Sequence, residues 1–386
     1  MKNLTFILVL IFGGILILSS CKKDNSTPET QEIIYEGSLI NPSPQKLQIF
    51  KEEGYTEING NIEINVDGLT DMTHFSNLTS INGNLIVKNN NNLITLSGLD
   101  NLKFIEGKLT IKDNNNLTSI EGLSNLEHIG IDLLIEGNHN ISSEENLNSI
   151  ISIGGNIRIS DFFTYKGLNK IQSSSGAIQF LDIEYFSGLN NLTVTQTLRF
   201  YRVESIEGFD SLQTTGSLGI YETDSLSSLT CFSNLQSIKG NFSLNGNYNL
   251  STLNGLTNLQ SIGDAFIITQ NYYFSSLIGL SSLQIIGSDF HISYNPSLLS
   301  LEGSNSIKSI TGKLIISGNY SLLTLDGLTN LQSIGESMHI VNNKHLSDLC
   351  GVRDLLSTNS VGEAIKIERN LFNPTPEDII AGNCSQ

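Results

Sequence analysis

The 386-residue chain has no tryptophan, six prolines and only 15% charged side chains. Basic residues are the scarcer sign: 21 Lys and Arg stand against 38 Asp and Glu, a net charge of −17. There is no basic arm or helix, and an acidic surface repels phosphate backbones, which excludes a nucleic-acid partner. Beyond the N-terminus no run of about 18 apolar residues occurs, so no later segment is predicted to span a membrane as a helix. CxxC, HExxH and G-x-S-x-G patterns are missing, as is a glycine-rich phosphate loop after a strand, and no metal or cofactor is predicted. Of the six His residues, His291 and His339 occupy equivalent places two repeats apart, about 10 Å, too far to share a metal; they read as surface histidines. Proline is kept out of the repeats described below except at Pro296, as strand ladders require.

The first 30 residues read MKNLTFILVLIFGGILILSSCKKDNSTPET. A charged start, a short apolar core and small residues make a secretory signal rather than a fold element. Cys21 follows Leu18-Ser19-Ser20 and resembles the acylated cysteine of a bacterial lipobox. Residues 1–21 are therefore expected to be a lipoprotein signal, and 22–42, rich in Pro, Ser, Thr and charge at their start, a flexible tether. The protein would then sit in a cell envelope, on the outer membrane and facing outward, held by lipid. Disulfides persist in such a compartment. Cys350 and Cys384 bracket the last segment and are expected to pair, whereas Cys231 stands alone where neighbouring repeats carry Gly and reads as a buried free thiol.

The rest is repetition. KNNNNLITLSGLDNLKFIEG (88–107) is followed by KDNNNLTSIEGLSNLEHIG (112–130), offset by 24 residues. Leu93, Leu96, Leu99, Leu102 and Ile105 fall every three residues, then Leu109 and Ile111 two apart. Spacing of three fits no α-helical stripe, and spacing of two marks a short strand. A fixed period of this size means a solenoid. The fold predicted is an all-β solenoid, a right-handed parallel β-helix or leucine-rich-repeat-like stack of about 14 turns, Ile62/Ile64 to Ile365/Ile367, roughly 60 Å long, with short capping helices.

Three residues after each strand Ile or Val stands Asn: Asn90, Asn114, Asn138, Asn247, Asn271, Asn295, Asn319, Asn343 and Asn370. An inward Asn both donates and accepts, so these are expected to stack as a ladder. Gly98, Gly122, Gly167, Gly188, Gly208, Gly255, Gly279, Gly303 and Gly327 precede an apolar residue and are expected to mark bends with positive φ. Between about residues 160 and 224 the period shortens to 20 or 21, and the Asn position becomes Phe162, Ile183, Val203 and Thr223. This reads as a continuous solenoid with tighter turns, or else as a junction between two shorter ones. The organisation expected is an N-terminal cap at 43–57, with Ser43-Pro44 opening a helix that Gly54 stops, a solenoid at 58–349, and a last turn with a disulfide-bonded cap at 350–386.

Turns such as GKLTIKDNNNLTSIEGL (107–123) resemble the receptor L-domain family, leucine-rich-repeat-like β-helices of receptor ectodomains, fungal wall proteins and Bacteroidetes lipoproteins. The resemblance covers about 45–384, and the lipobox with Lys22-Lys23-Asp24 is most similar to the Bacteroidetes group. The cysteine-rich modules and kinase that accompany receptor L domains are missing, so hormone binding and signalling are not expected to carry over.

One surface is not uniform. In the irregular middle, outward strand and adjacent positions carry Arg158, Gln179, Arg199, Tyr201, Arg202 and Tyr221, with Asp161, Asp182, Glu184 and Glu222 nearby. Arg and Tyr anchor interfaces and stack on sugars. Equally, such charges can pair across neighbouring turns of a solvated sheet. The function expected is a lipid-anchored, monomeric, non-catalytic surface protein that binds a protein or glycan. The alternatives are a polysaccharide-active β-helix enzyme using paired carboxylates and a structural envelope component without a specific ligand.

Overall fold

The three-residue spacing of the leucines is the spacing of a hydrogen bond. Leu99 N donates to Leu96 O (3.2 Å), Leu102 N to Leu99 O (2.9 Å), and one turn later Leu123 N to Ile120 O and Leu126 N to Leu123 O. Each closes an i→i+3 ring, the 3₁₀ pattern, so every third side chain returns to the same side and is buried. Where several such steps follow one another, short 3₁₀ helices form, as at Glu121–Leu123 and Asp326–Leu328.

The computed structural model describes residues 32–141 and 147–386. The signal sequence, Cys21 and the first part of the expected tether lie outside them. Residues Ile33–Gln386 form one unit, a parallel all-β solenoid of about 14 turns. Its main sheet consists of the Leu-x-Ile strands. Leu85–Lys88, Leu109–Lys112 and Leu133–Glu136 pair residue for residue, and the series runs to Met338–Val341 paired with Ile365–Glu368. A second ladder of two-residue strands holds the last apolar residue of each run: Ile81, Ile105, Ile129 and Ile153 are in register, and the column resumes through Thr215, Ile238, Ile262, Ile286, Ile310 and Ile334. The core lies between these ladders. Leu93, Leu96, Leu99, Leu102, Ile105, Leu109 and Ile111 are each at most 1% exposed, whereas Ile94, off that spacing, is 51% exposed.

The middle is continuous with both flanks. Ile157–Gly167 pairs with Ala177–Gly188, that strand with Val194–Glu207, and the last with Thr214–Tyr221. These strands run around a corner that elsewhere is built of 3₁₀ steps. Extended chain advances about 3.3 Å per residue against about 2.0 Å in a 3₁₀ step, so the same perimeter needs fewer residues. That is why these turns shorten. Phe162, Ile183 and Val203 pair in register and fill the interior where the amides stand elsewhere. A stack of Phe180, Phe186, Phe200 and Phe209 continues beneath them.

Two expectations change. The tether does not extend to residue 42: Ile34–Glu36 pairs with Glu57–Asn59, and Leu39–Ile40 with Ile62–Glu63. Tyr35 packs on Phe50 and Tyr55 and Leu39 is fully buried, so this stretch already has a core to join. The glycines divide as well. Gly98, Gly208, Gly255, Gly279 and Gly303 have positive φ, whereas Gly122, Gly167, Gly188 and Gly327 do not. At Gly122 the need is room, because a Cβ would overlap the carbonyl of Leu96 in the preceding turn.

Both ends are capped. Ser43 accepts from Lys46 N at the start of helix Pro44–Glu53, Gly54 ends it with φ 71°, and Leu47 and Phe50 face the first turn. At the other end Thr375 and Asp378 form a reciprocal capping box for Pro376–Ile380, with Ile379 buried, which fixes the entry of the chain. Cys350 and Cys384 are disulfide-bonded with Cα atoms 4.9 Å apart.

Candidate binding surface

The amide ladder sets the edge of the main sheet. Asn114 Nδ2 donates to Val87 O in the turn before it (3.0 Å) and to Asn138 Oδ1 in the turn after it (3.2 Å). Its own Oδ1 accepts from both the N–H and the Nδ2 of Asn90, each at 3.0 Å. The same pattern joins Asn247, Asn271, Asn295 and Asn319, then Asn343 and Asn370. All nine are buried. Two end-pieces finish the ladder, Thr223 at a position the sequence assigned to the ladder column and Asn373 at one it did not. Asn373 Oδ1 accepts from Asn370 N and Nδ2, so a local side chain stands in for a further turn. At the other end of this run Thr223 donates its N–H and hydroxyl to Asn247 Oδ1. Between the ladders, Asp161 accepts from Gly137 N.

Just before each ladder position the backbone turns through the left-handed region. Asp161, Asp182, Arg202 and Glu222 have φ of 68°, 53°, 50° and 54°, so they form a column at the corner. Arg202 therefore does not sit on the sheet face. Its Nε and Nη2 donate to Asp182 Oδ1 (2.5 Å) and Oδ2 (2.8 Å), and Nη1 approaches Glu222 Oε2 at 3.6 Å. The Asp182 hydrogen bonds, then its charge, push the guanidinium pKa further up.

The sheet face itself carries Arg158, Gln179 and Arg199 in register on three successive strands. Arg158 bonds Glu136 Oε2 at 3.1 Å and Gln179 Oε1 at 3.3 Å. Arg199 makes no ion pair among the described residues and faces Gly219 on the next strand. Tyr201 and Tyr221 stack, centroids 4.6 Å apart and 14° between planes. Tyr221 folds back over Gly219, where a Cβ would meet its ring; that glycine was not singled out from the sequence. Thus the six candidates divide. Arg158 and Arg202 are paired with acids across turns, and Gln179, Arg199, Tyr201 and Tyr221 form a half-buried cluster.

Asp182 is occupied by Arg202 on both oxygens. Cys231 lines a cavity of ≈ 420 Å³ with Ser187, Asn190, Glu207 and Asp210, yet burial, and then the charge of Asp210, raises its thiol pKa well above the ordinary range, the opposite of an activated thiolate. His291 and His339 lie two strands apart with Ile315 between them. Among the described residues no group of three metal-ligating side chains converges.

The receptor L domain family matches residues 55–161, the regular turns before the middle. It is a family of ligand-binding rather than catalytic domains. No curated protein matches the chain.

Proposed function

We propose that this protein is a non-catalytic binding protein, anchored by lipid on Cys21 to the outer membrane, acting as a monomer and offering the outer face of its main sheet to a protein or glycan. The Bacteroidetes type of receptor L-domain lipoprotein is the group it fits. The family match supports binding over catalysis, and the lipobox with a polar stretch after it supports the anchor. The observation that carries the ligand surface is the cluster of Gln179 and Arg199 beside the stacked Tyr201 and Tyr221. Rigid, partly desolvated Arg and Tyr side chains are those that contribute most at interfaces, and a solenoid supplies extended area for them.

A pull-down compares residues 25–386, which include the whole unit from Ile33, with an Arg199→Ala/Tyr201→Ala/Arg202→Ala variant. Loss of at least ~10-fold in capture is expected, about 1.4 kcal/mol; equal capture by both proteins removes this surface from the proposal. For the anchor, full-length protein with Cys21→Ser is expected to lose labelled fatty acid and membrane association. Retention of both by that variant would disprove lipid attachment at Cys21.

A further inference from the structure

The corner beside the amide ladder changes character in the C-terminal half. Tyr248, Tyr272 and Tyr320 each follow a ladder Asn directly, Tyr273 follows Tyr272, and Tyr294 precedes Asn295. All five are 43–57% exposed. Pro296 occupies the turn between Tyr272 and Tyr320, so successive turns present Tyr, Tyr, Pro and Tyr in one outward column. The rings are held in place: Tyr272 and Tyr273 meet edge-on at 5.0 Å, Lys344 Nζ lies 4.9 Å from the Tyr320 ring centroid, and the Tyr294 ring lies along Gly318 of the next turn.

Charge sharpens the contrast. The same corner in the middle turns carries Asp161, Asp182, Glu184, Glu204, Glu222 and Asp224, whereas 245–249, 269–273, 293–297, 317–321 and 341–345 contain no acid. On a chain of net charge −17 that is a local zone without acids, and its remaining side chains are Asn, Gln, Ser and Thr with Val341, Lys344 and His345 at one end. Flat aromatic faces pack against the C–H face of a pyranose, and neutral amides and hydroxyls exchange hydrogen bonds with its hydroxyl groups. Turns stacked ~4.8 Å apart repeat at about the length of one sugar in an extended chain.

We infer that this tyrosine corner is a binding site for an uncharged, extended polysaccharide lying along the solenoid axis. A protein partner or an acidic glycan would find no patterned charge here. The site is separate from the Arg199 cluster and does not depend on it, though both rest on the reading of the chain as a binding protein.

The test titrates the full chain in detergent with cellohexaose and with laminarihexaose, following tyrosine fluorescence, which is readable because tryptophan is absent. Saturable binding of at least one neutral hexaose is expected, weakened at least ~10-fold by Tyr248→Ala/Tyr272→Ala/Tyr320→Ala and unaltered by Arg199→Ala/Tyr201→Ala/Arg202→Ala. Tyr272→Phe, which keeps the ring, should bind as wild type does. Circular dichroism checks that the exposed substitutions leave the fold intact. No binding of either hexaose, or equal binding by the triple tyrosine variant, overturns the inference; tighter binding of oligogalacturonate than of both neutral hexaoses also overturns it. Equal capture by the Arg199 variant and wild type in the pull-down, with hexaose binding intact, would overturn only the sheet-face surface.

Discussion

A single ladder asparagine does the work of several backbone groups. Asn271 Nδ2 donates to Leu244 O, Thr269 O and Asn295 Oδ1, and its Oδ1 accepts from Asn247 N and Nδ2. Neither Ser nor Asp reproduces that set: a hydroxyl has one proton, and a carboxylate has none to give. Asn271→Ala leaves the Asn247 N–H buried and unmet and deprives the Leu244 carbonyl of its side-chain donor, and should lower stability by about 3 kcal/mol. A urea denaturation midpoint within error of wild type would show that water enters and the ladder is dispensable. Nine rungs of this ladder were readable because one residue type recurs at one interval. Asn373 was not, since that end-piece follows no period; it is fixed by what the last rung lacks. The sequence set Arg202 beside the outward strand positions; only the left-handed corner shows that it turns aside toward Asp182.

Strands carry a second kind of ladder, made of charge. Lys112 Nζ lies 2.8 Å from Glu136 Oε1, and Arg158 bonds the other oxygen. The Lys112 hydrogen bond is the largest influence on the Glu136 carboxyl, opposed by partial burial, and holds its pKa below the ordinary 4.5. Asp132 is lowered likewise, by Lys108 first. A depressed carboxylate contributes stability that is complete above its unfolded pKa and is lost as pH falls through the folded value. Lys112, raised chiefly by the same hydrogen bond, remains in place across this window. Stability should therefore decline on acidification from pH ~5 to pH ~3, and Glu136→Gln should flatten that decline. Identical acid limbs for variant and wild type in urea melts would mean that these half-exposed pairs contribute nothing. The strands themselves were legible, including those of the middle, because Leu-x-Ile keeps its two-residue beat there. The second ladder was visible only as the final Ile of each run, and the backbone pairing that makes it a sheet belongs to neighbouring turns.

At the scale of the whole chain, each turn is held by its two neighbours, so an end turn has only one. The C-terminal end is reinforced by the disulfide, by Leu349 N donating to Cys384 O, and by Ile379 buried on the last turn. Closing a loop of 34 residues restricts the unfolded chain by roughly 3.5 kcal/mol. In a solenoid that loss is local. Cys384→Ala should accelerate hydrogen exchange in Ile365–Glu368 and leave Leu85–Lys88 unchanged. Uniform acceleration along the chain would show that the turns melt as one body instead.

The sequence alone determined the solenoid, its strand column, its amide file and both caps, because each follows from a local interval or a cap motif repeated until it is unmistakable. Tertiary structure decided what depends on stacking. It showed which glycines need a positive φ and which merely need room, where the first strands begin, and which arginines are paired. It also gathered tyrosines scattered along a sequence into one corner without acids. Residues about 24 apart in the chain become neighbours only once the turns are laid on one another, and burial, pairing and charge are properties of those neighbours.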